Sequence, residues 1–263
     1  MTVSERIMSL EKYYGRFSRP SDFEVVWKKN IEEMQAAVLN RKKEEFSGQP
    51  GIYETLEIKG TDGRTLNGRY IRPSGKGPFP LLLVFSDFNR TVRGWHHMTR
   101  FPALGYAVAA MENRTVSMDW KALDLAEAYK DVFLMADAIR LLPEADLTRI
   151  VTWGEGLGGS MAIATAAFMR EEPCCIALNP LPLEPEEEES KKSYLSAAYF
   201  AAFLKRRFLI GTCLLDEIAS LEGQYAVYNN AVCEKKHFIY PKHGHERVNF
   251  FEDEIMKFLI RFR

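Results

Sequence analysis

The spacing of apolar positions changes character near residue 78. Before that point Phe23, Val26, Trp27, Ile31, Met34 and Val38 recur at helical spacing. This predicts a helix from Phe23 to about Phe46 with one face to dock. Ser21 followed by Glu24 reads as its capping box. Two strand-like runs follow, Ile52–Lys59 and Thr65–Arg72, joined at Thr61-Asp62-Gly63-Arg64, and the Asp-Gly pair predicts a hairpin. Beyond residue 78 the runs become short and wholly apolar. Pro80–Phe85, Tyr106–Met111, Arg149–Trp153, Cys174–Leu178, Phe208–Leu214 and His237–Tyr240 read as strands, the first of them buried on both faces of a parallel sheet. Between them, helices are predicted near Trp95–Phe101 and over Asp119–Leu142, Leu157–Arg170, Tyr194–Leu204, Glu222–Asn229 and Val248–Arg263. Strands alternating with helices across short connections give the α/β class. The expected sheet is doubly wound and mostly parallel, with the N-terminal helix and the antiparallel hairpin at one edge. No repeat or Gly/Ser linker interrupts the chain. Residues 1–263 are therefore expected to form a single domain, with 19–75 as an N-terminal helix and hairpin extension and 78–263 as the core.

Composition narrows the function classes. With 263 residues and 46% hydrophobic content the chain has ample material for one core. A formal net charge of −1 argues against a basic nucleic-acid binder and against a polybasic membrane contact. No apolar run approaches the roughly 18 residues of a membrane span. Met1–Tyr14 is polar and charged, without the apolar stretch of an export signal, so a cytoplasmic location is expected. Cys174, Cys175, Cys213 and Cys233 form no Cys-x-x-Cys pair and read as reduced thiols packed in the interior. No metal or cofactor is expected. His96 and His97 are adjacent, so on a helix they face apart and cannot act together as ligands, and His237 and His243 read as structural. The acidic run Glu186–Glu189 reads as a solvated loop.

The chemistry lies in Ile150-Val151-Thr152-Trp153-Gly154-Glu155-Gly156-Leu157-Gly158-Gly159-Ser160. A buried strand enters a glycine-rich turn and a helix starts at once. This is the context of the G-x-S-x-G nucleophile elbow of α/β-hydrolases. Gly154 and Gly158 stand in the two small-residue places, but the nucleophile's own place is held by Gly156. The remaining triad members follow in the order of that fold: Asp216 just past a buried strand, and His245 between the last strand and the last helix. In such a triad the acid orients the imidazole and the imidazole takes the nucleophile's proton. Losing the nucleophile costs on the order of 10⁶ in kcat. Ser160, one helical turn on, points into the helix–sheet packing. Glu155 leaves the elbow on another side, the strand cysteines are inert hydrophobes, and Ser86 is a polar loop residue. Two readings of the pair remain. Either Asp216 and His245 are remnants beside an unused pocket, or His245, oriented by Asp216, activates a water in the space a serine would fill.

Further stretches fit one family. They are Arg19-Pro20-Ser21-Asp22-Phe23, Gly77-Pro78-Phe79-Pro80, Gly105-Tyr106-Ala107-Val108, Leu142-Pro143 with Arg149-Ile150, Leu215-Asp216-Glu217 and Gly244-His245-Glu246. In this order the chain resembles the acetyl xylan esterase and cephalosporin C deacetylase family, carbohydrate esterase family seven, from Arg19 to the C-terminus. The resemblance implies an α/β-hydrolase that deacetylates small acetylated sugars or related esters. It implies Asp216 and His245 as the catalytic acid and base, and the backbone N–H groups of Phe88 and Leu157 as the oxyanion hole. It also implies a ring-like homo-oligomer. The departures cluster at the site. Gly156 replaces the serine, Ser86-Asp87-Phe88 stands where the family reads His-Gly-Tyr, and Asn113-Arg114-Thr115-Val116 replaces an Arg-Gly-Gln-Gly loop. The prolines that usually follow the acid are absent, with Ala219-Ser220-Leu221 nearby instead. The chain is thus expected to lack normal ester hydrolase activity. The alternatives are slow hydrolysis of a small ester or acetylated sugar through the activated water, or a structural or ligand-binding subunit. No nucleic-acid or membrane partner is expected.

Overall fold

The apolar runs stack side by side, and the amphipathic stretches cover them on two faces. A computed structural model describes residues 3–46, 51–187 and 194–263. The chain opens with α1 (Val3–Leu10), α2 (Phe23–Glu33), β1 (Ala36–Glu44), β2 (Ile52–Gly60), β3 (Thr65–Arg72) and β4 (Phe79–Phe85). It continues through α3 (Trp95–Met98), α4 (Arg100–Ala103), β5 (Ala107–Met111), α5 (Leu125–Ala138), β6 (Ala145–Glu155), α6 (Leu157–Phe168) and β7 (Cys174–Leu178). It closes with α7 (Ala197–Ala201), β8 (Phe208–Cys213), α8 (Leu221–Asn230), β9 (Lys235–Tyr240) and α9 (Asn249–Phe262). All the strands join one nine-stranded sheet in the order β1-β2-β3-β5-β4-β6-β7-β8-β9. The pairs from β1 to β5 are antiparallel, and from β5 through β4 to β9 they are parallel.

The strand order reverses around β4. The chain leaves β4 for β5 on one side and returns to β6 on the other, so the carboxyl ends of β4 and β6 flank a switch point, where open α/β sheets place their sites. Both faces of β4 are buried. Leu81, Leu83 and Phe85 enter the core beneath α2, α5, α6 and α7, while Leu82 and Val84 enter the core beneath α3, α4 and α9. This two-sided burial is why the inner strands read as unbroken apolar runs. Among the described residues no helix is long and apolar enough to cross a membrane.

The N-terminal expectation is corrected in two places. The predicted helix from Phe23 to Phe46 ends at Glu33, and its second half is β1, an added edge strand beside the hairpin. Phe23, Trp27 and Met34 are buried, but Val38 is 43% exposed, so the helical face has nothing to bury beyond Met34. Long-range bonds decide the conformation there. The Ala36 N–H donates to Asp137 Oδ2 at 2.9 Å, and Arg41 pairs with Glu54 and Glu144. The charges of Arg41, Lys42 and Lys43 suit an open sheet edge. The capping box is also absent. Asp22 precedes the helix without a side-chain cap, its carboxylate accepting instead from the Tyr194 hydroxyl at 2.6 Å, and Glu24 pairs with Lys28. The predicted helix over Asp119–Leu142 is a 3₁₀ turn at Trp120–Ala122, then α5, then a second 3₁₀ turn at Ile139–Leu141. Of the acidic run, Glu188 and Glu189 lie outside the described residues.

Candidate active site

β6 delivers the chain into the elbow at Gly156, which takes φ +55° and ψ −124° immediately before α6. Its N–H donates to Leu178 O at 3.0 Å, and its carbonyl accepts from Gly159 and Leu181 at 3.0 and 3.1 Å. Strand and helix approach so closely that a Cβ on Gly154 would lie 2.0 Å from Gly158 O, and one on Gly158 would lie 2.3 Å from Phe85 O. The two flanking glycines therefore serve the packing that the sequence pattern implied.

The β4–β6 register dictates what faces the elbow. Phe85 pairs with Gly154, so two residues further on Asp87 reaches the level of Gly156. The Asp87 side chain fills the space that a residue 156 side chain would occupy: a Cβ built on Gly156 would lie 2.0 Å from Asp87 Oδ1. That oxygen accepts from Phe88 N–H at 2.8 Å and Leu157 N–H at 2.9 Å. These are the two donors expected to form an oxyanion hole, and they converge on the protein's own carboxylate. Asp87 is 7% exposed. Its loop is clamped from β5's side by Asn113, whose Nδ2 donates to the carbonyls of Ser86, Asp87 and Arg90 at 3.3, 3.0 and 2.9 Å.

The other oxygen of Asp87 meets the histidine. Oδ2 lies 3.0 Å from His245 Nε2, and His245 Nδ1 lies 2.8 Å from Asp216 Oδ2. Asp216 Oδ1 accepts from Ile218 and Ala219 N–H, each at 2.8 Å. Asn179 joins the two loops, accepting from Cys213 N–H at 2.9 Å and donating to Gly244 O at 3.2 Å. Burial alone would push the imidazole towards neutrality. The hydrogen bonds to Asp216 and Asp87, and their charges, outweigh it and raise the His245 pKa to about 9. At neutral pH His245 is thus an imidazolium between two carboxylates, with no lone pair free to take a proton.

The other candidates stand apart from this chemistry. Ser160 Oγ is buried and donates to Leu181 O, and Ser86 is buried at the end of β4. Burial pushes the Cys174 and Cys213 thiols up to about 11 and Cys175 higher still, so none offers a thiolate. Glu155 pairs with Arg93. His96 and His97 do not face apart as expected: their rings lie 4.0 Å from one another, and His97 Nδ1 meets Arg247. Among the described residues no group of three or more His, Cys, Asp or Glu could hold a metal. Two openings adjoin the site. A cavity of about 20 Å³ is bordered by Asp87, Gly156, Glu155 and His245. A cleft of about 250 Å³ lies between Leu157, Met161, Asn113 and the first turns of α5.

Asp87 is the residue that sequence reasoning left without a role. It was visible only as a departure from a family loop, and the signal that finds it is the strand register. The acetyl xylan esterase family model matches residues 3–124 and 177–262. The chain belongs to the acetyl xylan esterase family. The unmatched interval, 125–176, holds α5, β6, the elbow and α6. Among solved structures, acetyl xylan esterase 1 from Thermoanaerobacterium sp. JW/SL YS485 is 20% identical with a TM-score of 0.86, over 100% of this chain and 99% of that one. The acetyl xylan esterase from Paenibacillus sp. R4 is 20% identical with a TM-score of 0.84, over 100% of both chains. A cold-adapted esterase from an Arctic intertidal metagenomic library is 15% identical with a TM-score of 0.67, over 86% of this chain and 99% of that one. This family member therefore has the α/β-hydrolase fold that its sheet order describes.

Proposed function

We propose that this acetyl xylan esterase family protein does not cleave acetyl esters by the serine route, because Asp87 occupies the reaction space. One observation carries the reading. A single carboxylate stands within 2.0 Å of where a Cβ at position 156 would be and accepts both N–H groups that would hold an ester's oxyanion. An incoming acyl group would have to displace a buried charge from two charge-assisted hydrogen bonds and from an imidazolium. Asp216 and His245 are the retained acid and base positions. With His245 protonated and bonded to Asp87, the pair has no base to offer a water in the unmodified site. An acetylated sugar is on this reading a ligand for the cleft beside Leu157 and not a substrate.

The test is hydrolysis of p-nitrophenyl acetate by four proteins. The unaltered protein, Gly156→Ser and Asp87→Gly are each expected to be silent. Gly156→Ser alone fails because its side chain meets Asp87 Oδ1. The double variant Asp87→Gly/Gly156→Ser is expected to gain activity, a rise of several orders of magnitude given the ~10⁶ that a nucleophile contributes. Serine-like turnover by the unaltered protein, or full activity in Gly156→Ser alone, would overturn the reading.

A further inference from the structure

An obsolete site needs only a plug, and an apolar side chain plugs a hole without burying a charge. Here the plug is an oriented carboxylate. Oδ1 sits on the two main-chain donors, Oδ2 faces His245, and the elbow residue opposite is glycine, the one residue that leaves room for it. A carboxylate is a competent nucleophile towards carbon and needs no base to activate it. We propose that Asp87 is a nucleophile supplied from the β4 loop, and that the site opens small epoxides to vicinal diols through an ester formed on Asp87. This rests on the reading above that no serine-type chemistry runs at position 156.

The geometry supports each step. In the first, Asp87 Oδ2 bonds to an oxirane carbon, the carbon–oxygen bond of the ring breaks, and the ring oxygen takes the proton of His245 Nε2. The products are a hydroxyalkyl ester on Asp87 and a neutral imidazole. A histidine held protonated is unfit to start ester hydrolysis but fit to start this, since the leaving oxygen must be protonated. Esterification also removes one of the two negative charges that keep His245 protonated. In the second step His245 takes a proton from a water whose oxygen bonds to Asp87 Cγ. The cavity of about 20 Å³ bordered by Asp87, Gly156 and His245 has room for one such water. The charge collects on Oδ1, where the Phe88 and Leu157 N–H groups already point. In the third step the bond from Cγ to Oδ2 breaks, and the departing alkoxide takes the proton of the newly bound hydroxyl. The diol leaves, and the carboxylate and the imidazolium are restored. The sum is epoxide plus water giving diol. Asp87 is 7% exposed and the cavity beside it is water-sized, so an epoxide reaches Oδ2 only as the side chains around that cavity give way, which confines the class to the smallest epoxides.

The balance makes a distinctive prediction, because the diol of the first turnover carries Oδ2 away and the carboxylate gains its new oxygen from water. The experiment incubates excess full-length protein with 1,2-epoxypropane in oxygen-18 water, digests it and weighs the peptide that contains Asp87. The expected result is a peptide heavier by one oxygen-18, with an unlabelled diol. His245→Gln, which lacks both the proton donor of the first step and the base of the second, should form neither diol nor a labelled Asp87 peptide. An unlabelled Asp87 peptide in the unaltered protein after diol has formed overturns the proposal. So does the absence of both diol and adduct in the unaltered protein at high epoxide concentration. The p-nitrophenyl acetate assay keeps the two readings apart. Silence there with an unlabelled Asp87 sinks only the nucleophile, whereas serine-like ester turnover sinks the reading on which it rests.

Discussion

His245 shows how one residue's protonation state follows from its two neighbours. Its folded pKa of about 9 lies above the ordinary 6.5, so the folded protein binds the proton more tightly than the unfolded chain. The stabilisation is complete below about pH 6.5, declines above it, and is lost as the pH rises through about 9. Its size is on the order of 3–4 kcal/mol as an upper limit. Titration of the His245 ring protons by NMR should give a midpoint near 9, falling towards the ordinary value in Asp87→Asn, where one of the two charges is gone. A midpoint at or below 6.5 in the unaltered protein would contradict the imidazolium. Much of this residue-scale picture was legible in the chain. Asp216 and His245 were identified by order and motif, and Leu157 and Phe88 through the family resemblance; the structure gathers His245, Leu157 and Phe88 on Asp87 beside Gly156, with Asp216 behind the histidine. Asp87 was not legible as a functional group, because nothing in its local sequence says that two strands paired Phe85 to Gly154 will set it opposite the elbow.

At the scale of elements, legibility tracked how local the deciding force was. The inner strands were recognisable because burial on both faces leaves a continuous apolar run that needs no partner to be identified. The hairpin was recognisable from Asp62-Gly63, a turn set by its own residues. β1 was missed because its strand state is imposed from outside, by pairing with β2 and by Asp137 and Glu144 on distant elements. The loop after β5 was likewise seen only as a deviation, yet Asn113 in it donates to three carbonyls of the Asp87 loop. Asn113→Ala deletes that clamp and leaves buried carbonyls without it, a loss of roughly 1–3 kcal/mol. The expected outcome goes beyond stability. Asp87 should lose its fixed place against His245, and the His245 titration midpoint should move down with it. An unchanged midpoint in a folded Asn113→Ala protein would show that Asp87 is held by the oxyanion donors alone.

For the whole molecule, the question is whether the N-terminal extension, 19–75, and the core, 78–263, fold as one unit. Their contacts argue for one. Trp27 on α2 is 3% exposed and stands 5.3 Å from the rings of Phe133 on α5 and Phe200 on α7, with its Nε1 donating to Tyr194 O at 2.7 Å. Phe23 packs on Phe200 at 5.0 Å, so α2 fills the same apolar layer that covers β4 and β6. β3 in turn pairs directly with β5, which makes the extension part of the sheet that carries the site. A layer shared in this way cannot be removed without exposing the far side of the core. Trp27→Ala should therefore cost about 3–5 kcal/mol, and it should lower the midpoint of a single unfolding transition. Circular dichroism and tryptophan fluorescence should trace coincident curves in both proteins, because losing α2 uncovers the layer beneath the elbow. Two separate transitions, with the later one insensitive to Trp27→Ala, would instead divide the chain into an extension and an independently stable core. The site would then owe its geometry to residues 78–263 alone.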